Sequence, residues 1–258
     1  MEGLILEVVF AEAVYAAKNY FIFSAAAFFL FYVLFGKLLK HRKIQSRSSE
    51  IKEWLREIGF SLSSVLIFGT VAALTFHVSA QSTNIYWGNN DKYGEVYYFL
   101  SFIWVMFLHD TYFYWMHRLM HTPKLYQFVH KTHHRSTNPS PWTAYSFHPL
   151  EALLEAAILP LVAFTLPVHG SIVVSFFLFQ IFYNVYGHLG FELYPRGFHK
   201  TAIGKYINTS VAHNLHHSHF TGNYGLYFLF WDRWMGTLRT DYDQTYERIT
   251  ERTWTPGR

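Results

Sequence analysis

Five mostly uncharged apolar runs punctuate the chain, and short polar stretches separate them. Tyr20 to Gly36 is rich in Phe and Ala and carries no charge. With the apolar residues before it, it is long enough for a bilayer core of ~30 Å, which takes ~20 residues. Residues 1–18 are milder, with Glu2, Glu7 and Glu12, and read as an interfacial helix or the extended start of this first span. Ile58 to Ala80 predicts a second span and Tyr97 to Met116 a third. Leu150 to Leu166 and Ser171 to Tyr186 predict two shorter helices, with Pro167-Val168-His169-Gly170 as the turn between them. At about 17 residues each they form either a complete hairpin or a partly re-entrant one.

Charge sets the direction of these runs. Lys37, Lys40, Arg42, Lys43, Arg47, Lys52 and Arg56 crowd the segment between the first two spans, and short loops rich in Lys and Arg stay cytoplasmic. Gln81 to Glu95, with Asn89-Asn90-Asp91, then falls outside. The third span returns the chain to the cytoplasmic side at His117-Arg118. The hairpin goes in and comes back, so His188 and all that follows rejoin that side.

Composition agrees with a membrane protein: 51% of the 258 residues are apolar, 21% aromatic and only 15% charged, against roughly 25% charged in soluble domains. The net charge of +4 lies beside membrane segments, where it reads as topology or anionic-lipid contact, and no nucleic-acid partner is expected. The lack of cysteine excludes disulfides, iron–sulfur clusters and a thiolate-ligated haem. No basic segment precedes a short apolar run at the amino end, so no cleavable signal peptide is expected. The chain divides into membrane helices with a basic loop (1–108), a histidine-bearing region that includes the apolar hairpin 150–187 (109–238), and a charged soluble tail without a retrieval signal (239–258).

The chemistry lies in the histidines. His117 and His121 are four apart, on one face of a helix. His130, His133 and His134 follow Thr122-Pro123, where proline opens a helix at its first turn. His130 shares a face with His133 or His134, while the adjacent pair diverges by roughly 100°, so one helix can feed two metals. His213, His216 and His217 repeat the pattern, and His188, directly after the last apolar helix, is the ninth candidate ligand. A lone histidine pair near a membrane surface is usually just that; a pair with two such triplets is a metal site. His41, His77 and His169 read as interfacial or surface residues. His109 is off the His117 face, and His148 and His219 lie behind the ligands or on the substrate side. Asp110 is a candidate acceptor for a ligand's free N–H.

Neutral imidazole suits zinc, copper, iron and nickel, and the residues themselves leave the metal open. Zinc has no redox chemistry and would imply a membrane hydrolase; iron would imply oxygen chemistry. A metal transporter is a third reading, but it should place ionisable ligands near mid-membrane.

These motifs resemble the fatty acid hydroxylase and sterol desaturase superfamily of membrane histidine-box di-iron oxygenases. The boxes H-x3-4-H, H-x2-3-HH and a second H-x2-3-HH correspond to His117/His121, His130/His133/His134 and His213/His216/His217. Ser146-Phe147-His148-Pro149-Leu150-Glu151, Ile207-Asn208-Thr209-Ser210 and Gly222-Asn223-Tyr224-Gly225 through Trp231-Asp232-Arg233 to Gly236-Thr237 are similar to sterol C-5 desaturases and C-4 methyl oxidases. The resemblance covers roughly Asp110 to Leu238. It implies an all-α integral membrane protein with about four transmembrane helices and a cytosolic helical cap that holds two iron ions. The cap would lie on the cytoplasmic face of a bacterial inner membrane or the endoplasmic reticulum. It further implies O2-dependent hydroxylation or desaturation of an unactivated C–H bond of a sterol or other lipid taken from the bilayer. Zinc in a purified sample would be compatible with such a site. Without a dinucleotide fingerprint in the chain, electrons would come from a cytochrome b5-like protein or a ferredoxin with its reductase. Phe176, Phe177, Phe179, Phe182 and Tyr183 are candidates to line a substrate channel between the third span and the hairpin, or to serve helix packing and lipid contact.

Overall fold

The computed structural model describes residues 2–47, 49–78, 82–89 and 92–253. Ala80, Asn90, Asp91 and the last five residues of the predicted tail lie outside the described residues. The fold is almost wholly helical. α1 (Glu2–Phe28) runs on through a π-helical turn, Phe29–Leu34, and α2 (Ile51–Ala73) through another, Leu74–Val78. α1 is thus one long helix, which resolves the two readings of residues 1–18 in favour of an extended first span. α3 (Glu95–Met120) follows, then α4 (Pro123–Leu125), a π turn (Tyr126–His130) and α5 (Lys131–His134). α6 (Pro149–Ala156), α7 (Ile158–Thr165) and α8 (Gly170–Gly187) form the hairpin region. α9 (Ser210–His219), α10 (Phe230–Trp234) and α11 (Tyr242–Thr250) complete the described chain.

Among the described residues three helices are long and apolar enough to cross a bilayer: Ile5–Leu34, Ile51–His77 and Gly170–Gly187. α3 is long enough, but its tyrosines, tryptophans and His109-Asp110 lower its hydropathy. It nevertheless exposes an apolar stripe of Val96, Phe99, Leu100, Ile103, Trp104 and Phe107, the outward face expected in lipid. The single helix predicted over Leu150–Leu166 is instead two, α6 and α7, broken at Ala157. Pro160 has no N–H to give the Ala156 carbonyl, so the helical ladder cannot run through.

α1 and α2 pack at very close range. A Cβ added at Gly69 would lie 2.5 Å from the backbone nitrogen of Ala13, so two small residues let the backbones touch. At one end of the molecule Ile85–Tyr86 (β1) pairs in parallel with Val168–His169 (β2), so the predicted outer loop and hairpin turn meet. At the other end the basic segment joins the post-hairpin chain: Ile44 N donates to Gly190 O at 3.0 Å and Glu192 N to Arg42 O at 3.0 Å. The basic loop and the histidine region therefore lie together at one end, and the β1–β2 pair lies at the other.

Candidate metal centre

The nine candidate histidines converge from four places. α3 brings His117 and His121, the helical run after Pro123 brings His130, His133 and His134, and α9 brings His213, His216 and His217, with His188 at the carboxyl end of α8. They sort into two groups, and within each group the donor nitrogens lie within 4.8 Å of one another. One holds His117, His121, His130, His134 and His216; the other holds His133, His188, His213 and His217. Each adjacent pair is divided between the groups, as the roughly 100° step between neighbouring residues on a helix requires.

Inside the groups the Nε2 atoms nearly touch. His117 and His130 are 3.0 Å apart, His130 and His134 3.0 Å, His134 and His216 3.1 Å, and His121 and His216 3.2 Å. In the second group His188 lies 3.0 Å from His213, 3.1 Å from His217 and 3.3 Å from His133. The far side of each ring explains what these contacts are. Nδ1 donates to the backbone oxygens of Tyr224 from His117 (2.8 Å), Asn184 from His188 (2.7 Å), Gly222 from His216 (2.7 Å), Ser136 from His217 (3.0 Å) and, at longer range, Ser146 from His133 (3.4 Å). His130 Nδ1 donates to Glu151 Oε1 at 2.7 Å. A backbone oxygen only accepts, so on those five rings the hydrogen sits on Nδ1 and Nε2 carries a bare lone pair. Lone pairs facing each other at 3 Å repel unless a cation lies between them. With metal–nitrogen bonds of about 2.1 Å, ligands at right angles around one ion are about 3.0 Å apart, and the spacing here fits. The Nδ1 atoms of His134 and His213 have no partner among the described residues.

All of these rings except His121 are buried. Burial, with the neighbouring imidazoles adding to it, holds the pKa of His130, His134, His213, His216 and His217 well below the ordinary imidazole value; His133 follows the same direction, burial first. They are neutral donors.

Carboxylates behind the rings set their positions. Asp110 does not accept from a ligand ring. Its Oδ1 instead accepts the backbone N–H groups of Tyr227 (2.8 Å) and Phe228 (3.2 Å), because α3 lays it against the 222–230 loop. Asp232 accepts from Tyr224 N at 2.9 Å and Gly225 N at 2.8 Å. The two aspartates thus pin the loop whose Gly222 and Tyr224 carbonyls orient His216 and His117. Gly222 has φ +73°, and a Cβ there would meet Thr237 O at 2.6 Å, so only glycine presents that carbonyl. Glu57 accepts from Ser136 Oγ (2.6 Å) and Ser140 Oγ (2.9 Å), fixing the segment that orients His217. Glu192, raised to about 7 by burial, accepts from Val211 N at 3.1 Å and holds the first turn of α9. Glu151 and Glu57 were not picked out as site residues from the sequence, though an acid within or beside an apolar run is a signal that points to function.

The other sequence candidates fall outside the two groups. His41 and His77 are peripheral: His41 Nδ1 meets Leu38 O at 3.0 Å and His77 pairs with Glu12 at 3.4 Å. His169 is buried, not on the surface, and accepts from Ser171 N at 3.2 Å to cap α8. His148 caps α6 in the same way, accepting from Leu150 N at 3.3 Å, and His219 turns back on Leu215 O at 3.0 Å. His109 is buried between Phe113, Phe176 and Tyr227.

Two cavities meet at the site. A large apolar one of about 650 Å³ lies between α1, α2 and the hairpin helices, not between α3 and the hairpin. Of the five aromatic residues proposed for a channel, only Phe177 lines it; Phe176 is wholly buried in the core and Phe182 is outward-facing. A small one of about 10 Å³ lies against His117 and His130 of one group and His133, His188 and His213 of the other. Phe147 and Glu155 line both.

By class this is a helical membrane protein with a histidine-rich cluster whose geometry could hold metal. A family model described as fatty acid hydroxylase matches residues 102–237, more than half of the chain, and the chain belongs to that family. It is similar to a Delta(7)-sterol 5(6)-desaturase of Gibberella zeae, with 28% identity over 89% of this chain and 69% of the relative. It is likewise similar to human lathosterol oxidase, with 28% identity over 84% of this chain and 70% of the relative. A Delta(7)-sterol 5(6)-desaturase of Leptosphaeria maculans is 30% identical over a shorter stretch, 60% of this chain and 41% of the relative. No solved structure matches the chain. These relatives are oxidoreductases, and so is this protein.

Proposed function

We propose that this chain is a membrane-bound di-iron oxidoreductase that uses O2 to hydroxylate or desaturate an unactivated C–H bond of a sterol or other lipid. The observation that carries the reading is the set of facing Nε2 atoms, five in one group and four in the other. His117, His121, His130, His134 and His216 would hold one ion and His133, His188, His213 and His217 the other. Five imidazoles exceed the four-coordinate sites that zinc prefers, and zinc catalysis usually keeps only three protein ligands. That count favours iron over the zinc hydrolase. A transporter is disfavoured because both groups lie at the end that carries the basic loop, away from the β1–β2 end.

Bound iron supplies oxidising power from O2 that no protein side chain has. The chain does the rest. Backbone oxygens and Glu151 fix the tautomer and angle of the rings. The apolar cavity takes a lipid from the bilayer, excludes water and holds the target carbon near the smaller cavity. Its volume and the sterol-acting relatives support a sterol-sized substrate. The basic loop, by the positive-inside rule, supports a cytoplasmic site. Lys124, Lys131 and Arg135 are exposed on the histidine-bearing face and suit an acidic electron donor, a cytochrome b5-like protein or a ferredoxin with its reductase.

Lipid extracts from cells with and without the gene, compared by mass spectrometry, test the reading. One product should gain an oxygen atom or lose two hydrogens, only when O2 is supplied. Extracts that are identical under aerobic conditions, with iron bound and reductant present, would refute it.

A further inference from the structure

The two histidine groups are unequal, five rings in one and four in the other. The small cavity of about 10 Å³, just large enough for one water, lies chiefly against the smaller group. Three of its four rings, His133, His188 and His213, border the cavity, together with two rings of the larger group. Apart from two phenylalanines and Asn184, whose amide nitrogen is committed to Ala144 O at 2.8 Å, the rest of the wall is Glu151 and Glu155. Glu151 Oε1 is taken by His130, but its Oε2 is buried without a partner among the described residues. Glu155 follows four residues later on the same face of α6. It is half-buried, and its carboxyl has no hydrogen bond or ion pair among the described residues. An unmet buried acceptor costs free energy, and a small polar guest in this space would meet it.

We infer that Glu155 is a positioning residue: with the free oxygen of Glu151 it holds a guest the size of one water in the small cavity, as the replaceable ligand of the four-histidine group. This rests on the di-iron reading and says which of the two groups takes an outside ligand. A metal site that does chemistry leaves a position to solvent or substrate, and a group of four rings has more room for it than a group of five. A water gives its hydrogens to carboxylate oxygens and keeps its lone pairs for a cation. Two divalent ions among nine neutral rings favour the ionised form of a carboxyl beside them, so Glu155 also supplies negative charge where the rings supply none. Glu155 and Phe147 line the large cavity as well. The guest and the inner end of a bound lipid therefore meet at these two residues. Asn184 and the phenylalanines offer no second acid, and Glu151 is half committed to His130, which leaves Glu155 as the carboxyl free to follow the guest.

The test is azide binding to the full chain loaded with cobalt(II) in detergent, followed by the visible absorption of the metal. Azide is small and anionic, so it competes for the replaceable position and is repelled by a carboxylate beside it. Glu155→Gln keeps the shape and removes the charge, and should bind azide about ten-fold tighter or more, the scale of one nearby charge, with bound cobalt unchanged. Glu155→Asp keeps the charge and should stay close to the wild type. A purely structural role would not tighten azide. His213→Ala should abolish the azide response, and His121→Ala, whose ring does not border the cavity, should keep it. If Glu155→Gln loses cobalt, Glu155→Ala takes its place, and the two histidine variants decide the assignment of the group in either case. A wild type without an azide response, an uncharged variant whose azide affinity is unchanged or weaker, or a response that survives in His213→Ala overturns the inference and leaves the lipid-oxidase reading intact. A wild type that cannot be loaded with two cobalt ions per chain refutes the two-metal reading as well.

Discussion

His130 Nδ1 and Glu151 Oε1 lie 2.7 Å apart, and both residues are sealed from solvent. Glu151 is the one carboxylate that touches a ring of either histidine group directly among the described residues. It fixes which nitrogen of His130 faces the group and raises the basicity of that nitrogen. Replacing Glu151 with Ala should weaken metal binding by about 10- to 100-fold. Competition against a calibrated chelator measures this; an unchanged affinity would mean that His130 is oriented by packing alone.

His216 and His213 belong to different groups, so their removal should have separable effects. His216→Ala should abolish oxidation and lower bound metal through the five-histidine group, and His213→Ala through the four-histidine group. Metal analysis should give each variant about one ion per chain where the wild type gives two, as the loss of a ligand predicts. Full activity and metal content in either variant would contradict the assignment.

Glu57 acts at one remove. It binds Ser136 Oγ, and Ser136 O orients His217. Glu57→Ala should leave two buried hydroxyls without their acceptor, at about 1–3 kcal/mol each. Metal should be lost chiefly from the group that contains His217. Equal loss from both groups would point to general unfolding instead.

Burial sets the pH range of the site. His130, His133, His134, His213, His216 and His217 are held well below the ordinary imidazole value. Since their folded-state values are lowered, the rings remain unprotonated while exposed histidines, near 6.5, begin to charge. Bound metal should therefore be retained on dialysis at pH 6 as fully as at pH 7.5, with protons displacing it only in stronger acid. Half-loss near pH 6.5 would show that the rings titrate as if exposed.

Gly69 tests the membrane frame independently of the metal. Even the methyl group of Gly69→Ala would sit 2.5 Å from Ala13 N, so α1 and α2 must separate. Destabilisation of about 1–3 kcal/mol is expected, read as a lower thermal midpoint in detergent, and Gly69→Leu should be worse. An unchanged midpoint for the leucine variant would show that this contact is not tight.

The order of apolar runs, the basic loop and the spacing of His117/His121, His130/His133/His134 and His213/His216/His217 could all be read directly from the chain. Each depends on local periodicity: a span on its length, and a shared helix face on steps of three or four residues. Even the division of adjacent histidines between two groups follows from the angle between neighbours on a helix. What depends on distant parts of the chain could be seen only in the fold. Asp110 looked like a partner for a ring, yet α3 delivers it to the backbone of Tyr227, 117 residues away. Glu151 stood out only as the end of the Ser146–Glu151 motif and Glu155 not at all, although they end up against His130 and at the junction of two cavities. The cavity itself opens against α1 and α2, and no local pattern encodes where two helices will meet. Helices and donor types are short-range properties of a sequence; which carboxyl is left without a partner depends on how distant segments pack.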